Sequence, residues 1–173
     1  MADQTSSSLR SILYAMRDQL LAFGVCPEKE RILFVAEDDP PLYVCTQDIA
    51  IQMGKEKAIK PNNVASGRVN FDCIRELTIH VRSSFTGDTT GLDETHLTEI
   101  SVGHIVFLDA VYNALHDFWP VDLNNNVITI DPIKLGDCSE AKRLPKRPDW
   151  IVSKITAMVK YQKVLDLKNH TFF

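Results

Sequence analysis

Apolar residues recur at three- and four-residue steps in two stretches of the chain, and this spacing builds one apolar stripe along a helix. The first stripe consists of Leu9, Ile12, Leu13, Met16, Leu20 and Phe23. It predicts an amphipathic helix over about Ser8–Phe23, which Gly24 ends. The second stripe consists of Leu97, Ile100, His104, Phe107, Leu108, Val111 and Leu115. It predicts a second helix, running from the capping residue Thr95 to about Phe118.

Alternation of apolar and polar residues predicts two long strands. The first alternation places Val69, Phe71, Cys73, Leu77, Ile79 and Val81 on one face. It predicts a strand over Val69–Arg82 whose alternating part is about 43 Å long at ~3.3 Å per residue. A compact domain of this length is roughly 40 Å across, so the strand reaches across the domain or projects beyond it. The second alternation predicts another long strand over Ile151–Leu167.

Shorter apolar runs predict short strands over Arg31–Ala36, Leu42–Cys45, Asp48–Met53 and Val127–Ile133. Polar stretches predict surface connections over Gly54–Gly67, Ser83–Glu94 and Leu135–Asp149. The strands do not alternate regularly with helices, which disfavours a doubly wound parallel sheet. The order predicts an α+β fold: an antiparallel or mixed β-sheet with two long strands, packed against two amphipathic helices.

Composition is that of an ordinary globular protein. The chain has 173 residues, of which 45% are hydrophobic and 24% charged, so we expect a single domain over 1–173 with a C-terminal tail over 168–173. The apolar runs are shorter than the ~20 residues that a membrane-spanning helix needs, and no membrane association is expected. The formal net charge of −4 disfavours a general nucleic-acid-binding protein, which would bind mainly through contacts to phosphates.

Motifs for catalysis, cofactors and metals are missing from the sequence. There is no phosphate-binding glycine loop and no C-x-x-C pair, so no cofactor is predicted. His96 and His104 share a helix face but lie roughly 12 Å apart, too far to share a metal ion. We expect reduced cysteines, with Cys26 and Cys73 acting as small core residues. The sequence therefore predicts neither a metal site nor catalytic residues.

One cluster of basic residues stands out. It comprises Lys142, Arg143, Lys146 and Arg147, with prolines on both sides of the last two. Four cations in so short a stretch suit contact with an acidic partner surface or with phosphates, although a solvated loop explains them as well.

Several segments together carry a resemblance to a known family. They are Ser11–Phe23, Gly67-Arg68 leading into Val69–Arg82, Leu97–Leu115 with Gly103-His104 and Asp109–Leu115, Trp150, and Tyr161–Leu167. In these segments, which span nearly the whole chain, the sequence resembles the tail terminator (tail-completion) and neck proteins of long-tailed bacteriophages. The shared features are patterns of apolar and small residues, without a catalytic signature.

The resemblance implies a structural virion protein rather than an enzyme. The subunit would form a homo-oligomeric ring, usually a hexamer, that caps the tail tube protein and meets the head–neck connector protein. DNA would pass through the lumen without sequence-specific binding, which an acidic wall favours because it does not trap a polyanion. The protein would be made in the host cytoplasm and end in the tail or neck of the virion.

Contacts between subunits are expected where a connection or the tail lies next to a long strand. The residues we assign to this interface are Lys55, Lys57, Lys60, Arg68, Arg82, Asp88, Phe172 and Phe173. Two alternatives stay open. One is another neck, head-completion or adaptor protein, which would bind an acidic partner through the basic cluster. The other is a small soluble enzyme whose site joins His80, Asp88 and His104.

Overall fold

A computed structural model of the chain describes residues 9–36, 47–65, 68–84, 94–145 and 147–166. Two helices and six strands follow one another along these residues. They are α1 (Leu9–Ala22), β1 (Ile32–Val35), β2 (Gln47–Ala65), β3 (Arg68–Ser84), α2 (Glu94–Leu115), β4 (Lys134–Cys138), β5 (Lys142–Leu144) and β6 (Arg147–Asp166). A short 3₁₀ turn over Lys29–Arg31 precedes β1.

All six strands belong to one sheet with the order β1-β2-β3-β6-β4, and β5 also pairs with β6. The three long central strands are antiparallel to one another, whereas β1 lies parallel to β2. The register between β3 and β6 is unbroken from Arg68 opposite Asp166 to Ser84 opposite Trp150. The sheet is therefore mixed, and its centre is a long antiparallel three-stranded unit.

Both helices pack on the same face of the sheet. Alternate residues of the long strands point to this face, including Ile49, Ile51, Leu77, Ile79, Val81, Ile155, Ala157 and Val159. The helices supply Ile12, Leu13, Met16, Leu20, Phe107, Val111 and Leu115 to the same buried cluster. Burial of these side chains is the main stabilising contribution to the fold.

The predicted α+β architecture is confirmed, as are both helices and both long strands to within a few residues at their ends. The strand predicted over Arg31–Ala36 is β1, of which only Ile32 is fully buried. The strand predicted over Asp48–Met53 is the first part of β2. The segment Leu42–Cys45 lies outside the described residues.

The prediction of a surface connection over Gly54–Gly67 is wrong for residues 54–65, which continue β2. Its lysines indicated a loop, but Lys55 and Lys57 point into solvent from a strand, so their polarity is compatible with the sheet. Pairing with β3 satisfies the backbone of this segment and outweighs its composition. Residues 66 and 67 lie outside the described part.

Two further predictions around β6 are wrong. Val127–Ile133 is not a strand; it makes a single bridge between Val121 and Val127 and then buries Ile133 in the core. The connection predicted over Leu135–Asp149 instead contains β4 and β5, because the edge of β6 offers both a pairing partner. In the connection predicted over Ser83–Glu94, the first two residues belong to β3 and Glu94 begins α2. Residues 85–93 lie outside the described part.

Neither α1 nor the described part of α2 combines the length and the apolar character that crossing a bilayer requires.

Candidate assembly surface

The long strands continue well past the part of the sheet that the other elements cover. β2, β3 and β6 are 19, 17 and 20 residues long. β1 pairs with β2 only as far as Gln52, and β4 pairs with β6 only as far as Met158. We call the remaining three-stranded part, residues 54–65, 68–75 and 159–166, the ribbon. Within the described residues, no strand pairs with either outer edge of the ribbon.

Burial decreases along the ribbon. Residues 48–51 of β2 are fully buried, whereas Lys55, Lys57, Ala58 and Ile59 are exposed. On β6 the inward-facing Val159 and Tyr161 are still buried, and Lys163 is exposed. The ribbon is therefore a sheet extension that is covered near the helices, and its described side chains become more exposed along β2 as far as Ile59 and along β6 as far as Lys163.

The two outer edges of the ribbon differ. β2 shifts its register against β3 at three places and carries Pro61 as well as its lysines. Bulges, proline and lysine are the devices by which edge strands resist pairing with other chains. β6 also carries lysines, Lys160 and Lys163, but it pairs with β3 without any shift, and its described ribbon residues contain no proline. The β6 edge is thus the regular one.

Backbone hydrogen bonds show which β6 residues point toward that edge. The carbonyl of Lys154 accepts from the amide of Ser139 (2.8 Å), and the carbonyl of Lys160 accepts from the amide of Ile130 (2.7 Å). Both acceptors are even-numbered, and in an antiparallel pair alternate residues direct their backbone groups to the same side. Val164 therefore presents its N–H and C=O to the outer edge and not to β3.

A polar cluster ties the three strands of the ribbon together. The carboxylate of Glu56 on β2 accepts hydrogen bonds from Arg75 Nη2 (2.9 Å), from Lys163 Nζ (3.1 Å) and from the hydroxyl of Tyr161. Arg75 Nη1 also donates to the carbonyl oxygen of Gly54 (2.9 Å). One carboxylate thereby links β2 to its neighbour β3 and, across β3, to β6.

Electrostatics in this cluster favour the ionised carboxylate. The hydrogen bond from Tyr161, followed by those from Arg75 and Lys163, lowers the pKa of Glu56 to about 2 despite partial burial. Burial, together with the bond to Glu56, raises the pKa of Tyr161 to about 12. Both groups hold their hydrogen-bonding protonation states throughout the neutral range.

Gly54 lies where β2 and β3 approach each other closely. A Cβ atom at this position would lie 2.8 Å from the backbone oxygen of Glu76, which is too short for a real contact. Since the obstacle is backbone, it cannot rotate away. Glycine is therefore required at the start of the ribbon, where β2 makes its first register shift.

Arg82, one of the residues assigned to the subunit interface, lies inside the fold. Its Nε and Nη2 donate to the two carboxylate oxygens of Asp48 (2.5 and 2.8 Å), and both side chains are buried. A bidentate pair of this kind fixes β2 against β3. The interface proposed below does not include Arg82.

His104 joins α2 to the sheet. Its Nδ1 is hydrogen-bonded to Ser83 Oγ on β3 (2.9 Å), and its Nε2 to Ser153 Oγ on β6 (3.0 Å). The imidazole is 2% exposed, and this burial lowers its pKa. Both ring nitrogens are thus used to connect elements of the fold.

The enzyme alternative required His80, Asp88 and His104 to come together. His80 is hydrogen-bonded to Gln52 (2.8 Å) on the face of the sheet opposite His104, because it occupies an alternate position along β3. Asp88 lies outside the described residues. The two described histidines therefore do not share a site.

The other residues assigned to the interface are distributed as follows. Lys55 and Lys57 are exposed on the ribbon. Lys60 and Arg68 lie on β2 and β3, with side chains outside the described part. Asp88, Phe172 and Phe173 also lie outside it.

The predicted basic cluster is split between two strands. Lys142 and Arg143 are exposed on β5, and Arg147 begins β6, where its guanidinium donates to both carboxylate oxygens of Asp149 (3.1 and 2.9 Å). Lys146 lies outside the described residues.

Metal-ligating side chains do not gather in the described part of the chain: it holds no group of three or more His, Cys, Asp or Glu residues suited to an ion. Cys26 and Cys73 are buried, as predicted, and Cys138 is partly buried; none of these three forms a disulfide within the described residues. Burial is the main cause of the raised pKa values of Cys73 and Cys138, so neither thiol is activated as a nucleophile.

Comparisons with known proteins give matches among solved structures. No family model and no curated protein matches the chain. Among solved structures, it is similar to a chain of the "Virion of native gene transfer agent (GTA) particle", with 13% sequence identity and a TM-score of 0.49. That match covers 93% of this chain and 99% of the other. A TM-score below 0.5 does not establish a common fold.

Proposed function

We propose that this protein is a structural subunit of a phage-like virion: a tail terminator that forms a ring of copies on the tail tube. The observation that carries the proposal is the ribbon. A three-stranded extension with no strand on either edge, within the described residues, is suited to completion by another chain. The sequence resemblance to tail terminator and neck proteins supports the same assignment.

Contacts between its own strands stiffen the ribbon. The Glu56 cluster and the unbroken register between β3 and β6 stiffen it before any partner is present. A preformed surface loses less conformational entropy on association than a flexible one. The ribbon therefore supports assembly as a rigid element, and its regular β6 edge is the side at which we place the neighbouring copy.

The proposed partners are the tail tube protein on one face of the ring and the head–neck connector protein on the other. The exposed cations Lys142 and Arg143 on β5 suit an acidic patch on one of them. With a net charge of −4, the ring would let DNA pass through its lumen without binding it. The role proposed is structural, with no chemical step.

A different position in the same particle is the second candidate. A neck, head-completion or adaptor protein would use the same exposed ribbon, and the basic residues on β5 favour an adaptor that binds one acidic partner. Salt dependence distinguishes the two, because an adaptor held by Lys142 and Arg143 weakens steeply as ionic strength rises.

Cryo-electron microscopy of the particles that contain this chain tests the proposal. We expect several copies in a closed ring at the end of the tail tube that faces the head, with the ribbon at the contact between copies. Single copies elsewhere in the neck would support the second candidate. Absence of the chain from the particle would refute both structural roles.

A further inference from the structure

A ring of several copies needs two different contact surfaces on each subunit. Copies related by rotation meet through a heterologous contact, in which one surface of a copy meets another surface of the next. The proposed ring uses the regular β6 edge of the ribbon as the first surface. The second has to be an edge with which an extended strand can pair, so the other strand edges of the sheet are the candidates.

Most of these other edges carry features that resist pairing. The β2 edge of the ribbon has three register shifts, Pro61 and lysines. β4 begins with Lys134 and shifts its register against β6 after Leu135. β5 is three residues long, begins with Lys142 and Arg143, and also shifts its register. Bulges and cations of this kind protect an edge against other chains.

The outer edge of β1 differs from all of these. β1 pairs with β2 through its four residues, Ile32–Val35, without a register shift. No strand within the described ranges pairs with its other edge. The four residues are all apolar and include neither lysine nor proline, so short length alone limits pairing at this edge.

Apolar side chains flank the β1 edge on both faces of the sheet. Leu33 and Val35 lie on the face away from the helices and are partly buried. Phe34 lies on the helix face, where its ring centroid is 5.8 Å from that of Tyr14 on α1. Tyr14 is itself 37% exposed. A strand that paired here would therefore bury apolar surface in addition to forming backbone hydrogen bonds.

We propose that the β6 edge of the ribbon in one copy pairs with the outer edge of β1 in the next copy, so that one sheet continues around the ring. This inference rests on the ring proposed above and names the surface that receives the ribbon. β1 is parallel to β2, and both β2 and β6 are antiparallel to β3. β1 and β6 therefore run in the same direction, and because every copy in a continuous sheet repeats these directions, the new pair is parallel.

This pairing shifts neighbouring copies along their strands. Followed through the sheet register, β1 lies level with residues 153–156 of β6 in its own copy. The β6 edge is open only beyond Lys160, at residues 161–166, whose centre is about 30 Å farther along the strand at ~3.3 Å per residue. The strands would therefore run obliquely to the ring axis, as they do in a closed barrel. The length of the ribbon is what lets it reach the β1 edge of a neighbour.

Cysteine cross-linking in assembled particles tests this contact. Leu33→Cys on β1 and Gln162→Cys on β6 place their thiols on the face of the sheet away from the helices. With a short bis-maleimide, the double variant should give a ladder of covalent dimers, trimers and larger species, because every copy carries both partners. The matched control combines Gln162→Cys with Lys55→Cys on the β2 edge and should give no ladder. The wild type measures the reaction of the other cysteines.

A ladder from the control pair without one from the first pair would overturn the proposal and place the contact at the β2 edge. Dimers from Gln162→Cys alone would also overturn it, because they indicate that two β6 edges meet. Hydrogen exchange of the unmodified protein is a second readout: the amides of β1 that do not bond to β2 should exchange about tenfold or more slowly in the particle than in the free subunit.

The ring and this contact fail in different ways. Unchanged exchange at β1, in particles that hold the chain as a ring on the tail tube, would overturn the β1 contact and leave the proposed function intact. Absence of the chain from the particle would refute the proposed function and this contact with it.

Discussion

At the scale of single residues, His104 shows how a buried polar side chain can make the fold sensitive to acid. Burial lowers its pKa below the ordinary value of 6.5, so the folded protein holds the imidazole neutral between Ser83 and Ser153. Below about pH 6.5 the unfolded chain takes up a proton that the folded chain resists. Stability contributed by neutral His104 is therefore present above that pH and decreases as the pH falls.

Urea unfolding at a series of pH values from neutral to mildly acidic measures this effect. We expect the free energy of unfolding of the wild type to fall with pH, and His104→Gln to show a weaker dependence. At neutral pH the same variant should lose about 1–3 kcal/mol, because an amide does not replace both hydrogen bonds. His116→Gln, at an exposed site, serves as the control. An equal pH dependence in His104→Gln and the wild type would contradict the assignment.

At the scale of elements, the Glu56 cluster determines how firmly the ribbon holds together. With its pKa lowered to about 2, Glu56 contributes stability that is complete above its ordinary value of 4.5 and lost as the pH falls toward 2. The contribution is local, since its partners Arg75, Tyr161 and Lys163 all lie on the ribbon. Loss of the charge should loosen the ribbon before it affects the helices.

Hydrogen exchange at neutral pH tests this for Glu56→Gln. The amide keeps the size of the side chain but weakens three charge-assisted bonds, so backbone amides of the ribbon should exchange about tenfold faster or more. Exchange in α1 should not change. Glu76→Gln makes the same substitution at an exposed site on β3 and should have little effect. Uniform acceleration over the whole chain would show that the cluster supports the global fold instead.

The elements also show which parts of the structure could be predicted from the sequence. α1, α2, β3 and β6 carry apolar residues at the spacing of a helix or a strand, so these elements could be predicted from their own residues. The second half of β2 could not be predicted because its outward residues, such as Lys55 and Lys57, face water and its inward Glu56 is polar. β4 and β5 are strands only because β6 lies beside them.

The same dependence on strand pairing explains why the polar clusters of the sheet could not be predicted from the sequence. Glu56, Arg75 and Tyr161 are far apart in sequence, and only the register of β2, β3 and β6 brings them together. The sequence analysis assigned Arg82 to the subunit interface, but the register of β2 and β3 places it opposite Asp48, with both side chains buried. A site assembled across strands needs the pairing of those strands to be known, whereas burial of Cys26 and Cys73 followed from their own surroundings.

At the scale of the whole molecule, the ring proposal makes the β6 edge the place where one copy meets the next. Val164 directs its N–H toward this edge, as inferred from the acceptor carbonyls of Lys154 and Lys160. Proline at this position removes the outward N–H and adds ring atoms to the edge, without removing a hydrogen bond to β3. Val164→Pro should therefore leave the folded subunit intact while preventing a strand of another copy from pairing there.

The variant is assessed by its incorporation into particles, with circular dichroism and thermal unfolding of the isolated subunit as checks on the fold. Val164→Ala is the matched control, because it shortens the side chain but keeps the N–H. We expect Val164→Ala to assemble and Val164→Pro to remain outside the particle. Equal incorporation of two folded variants would show that copies meet without strand pairing at β6, and the contact between copies would then lie elsewhere on the subunit.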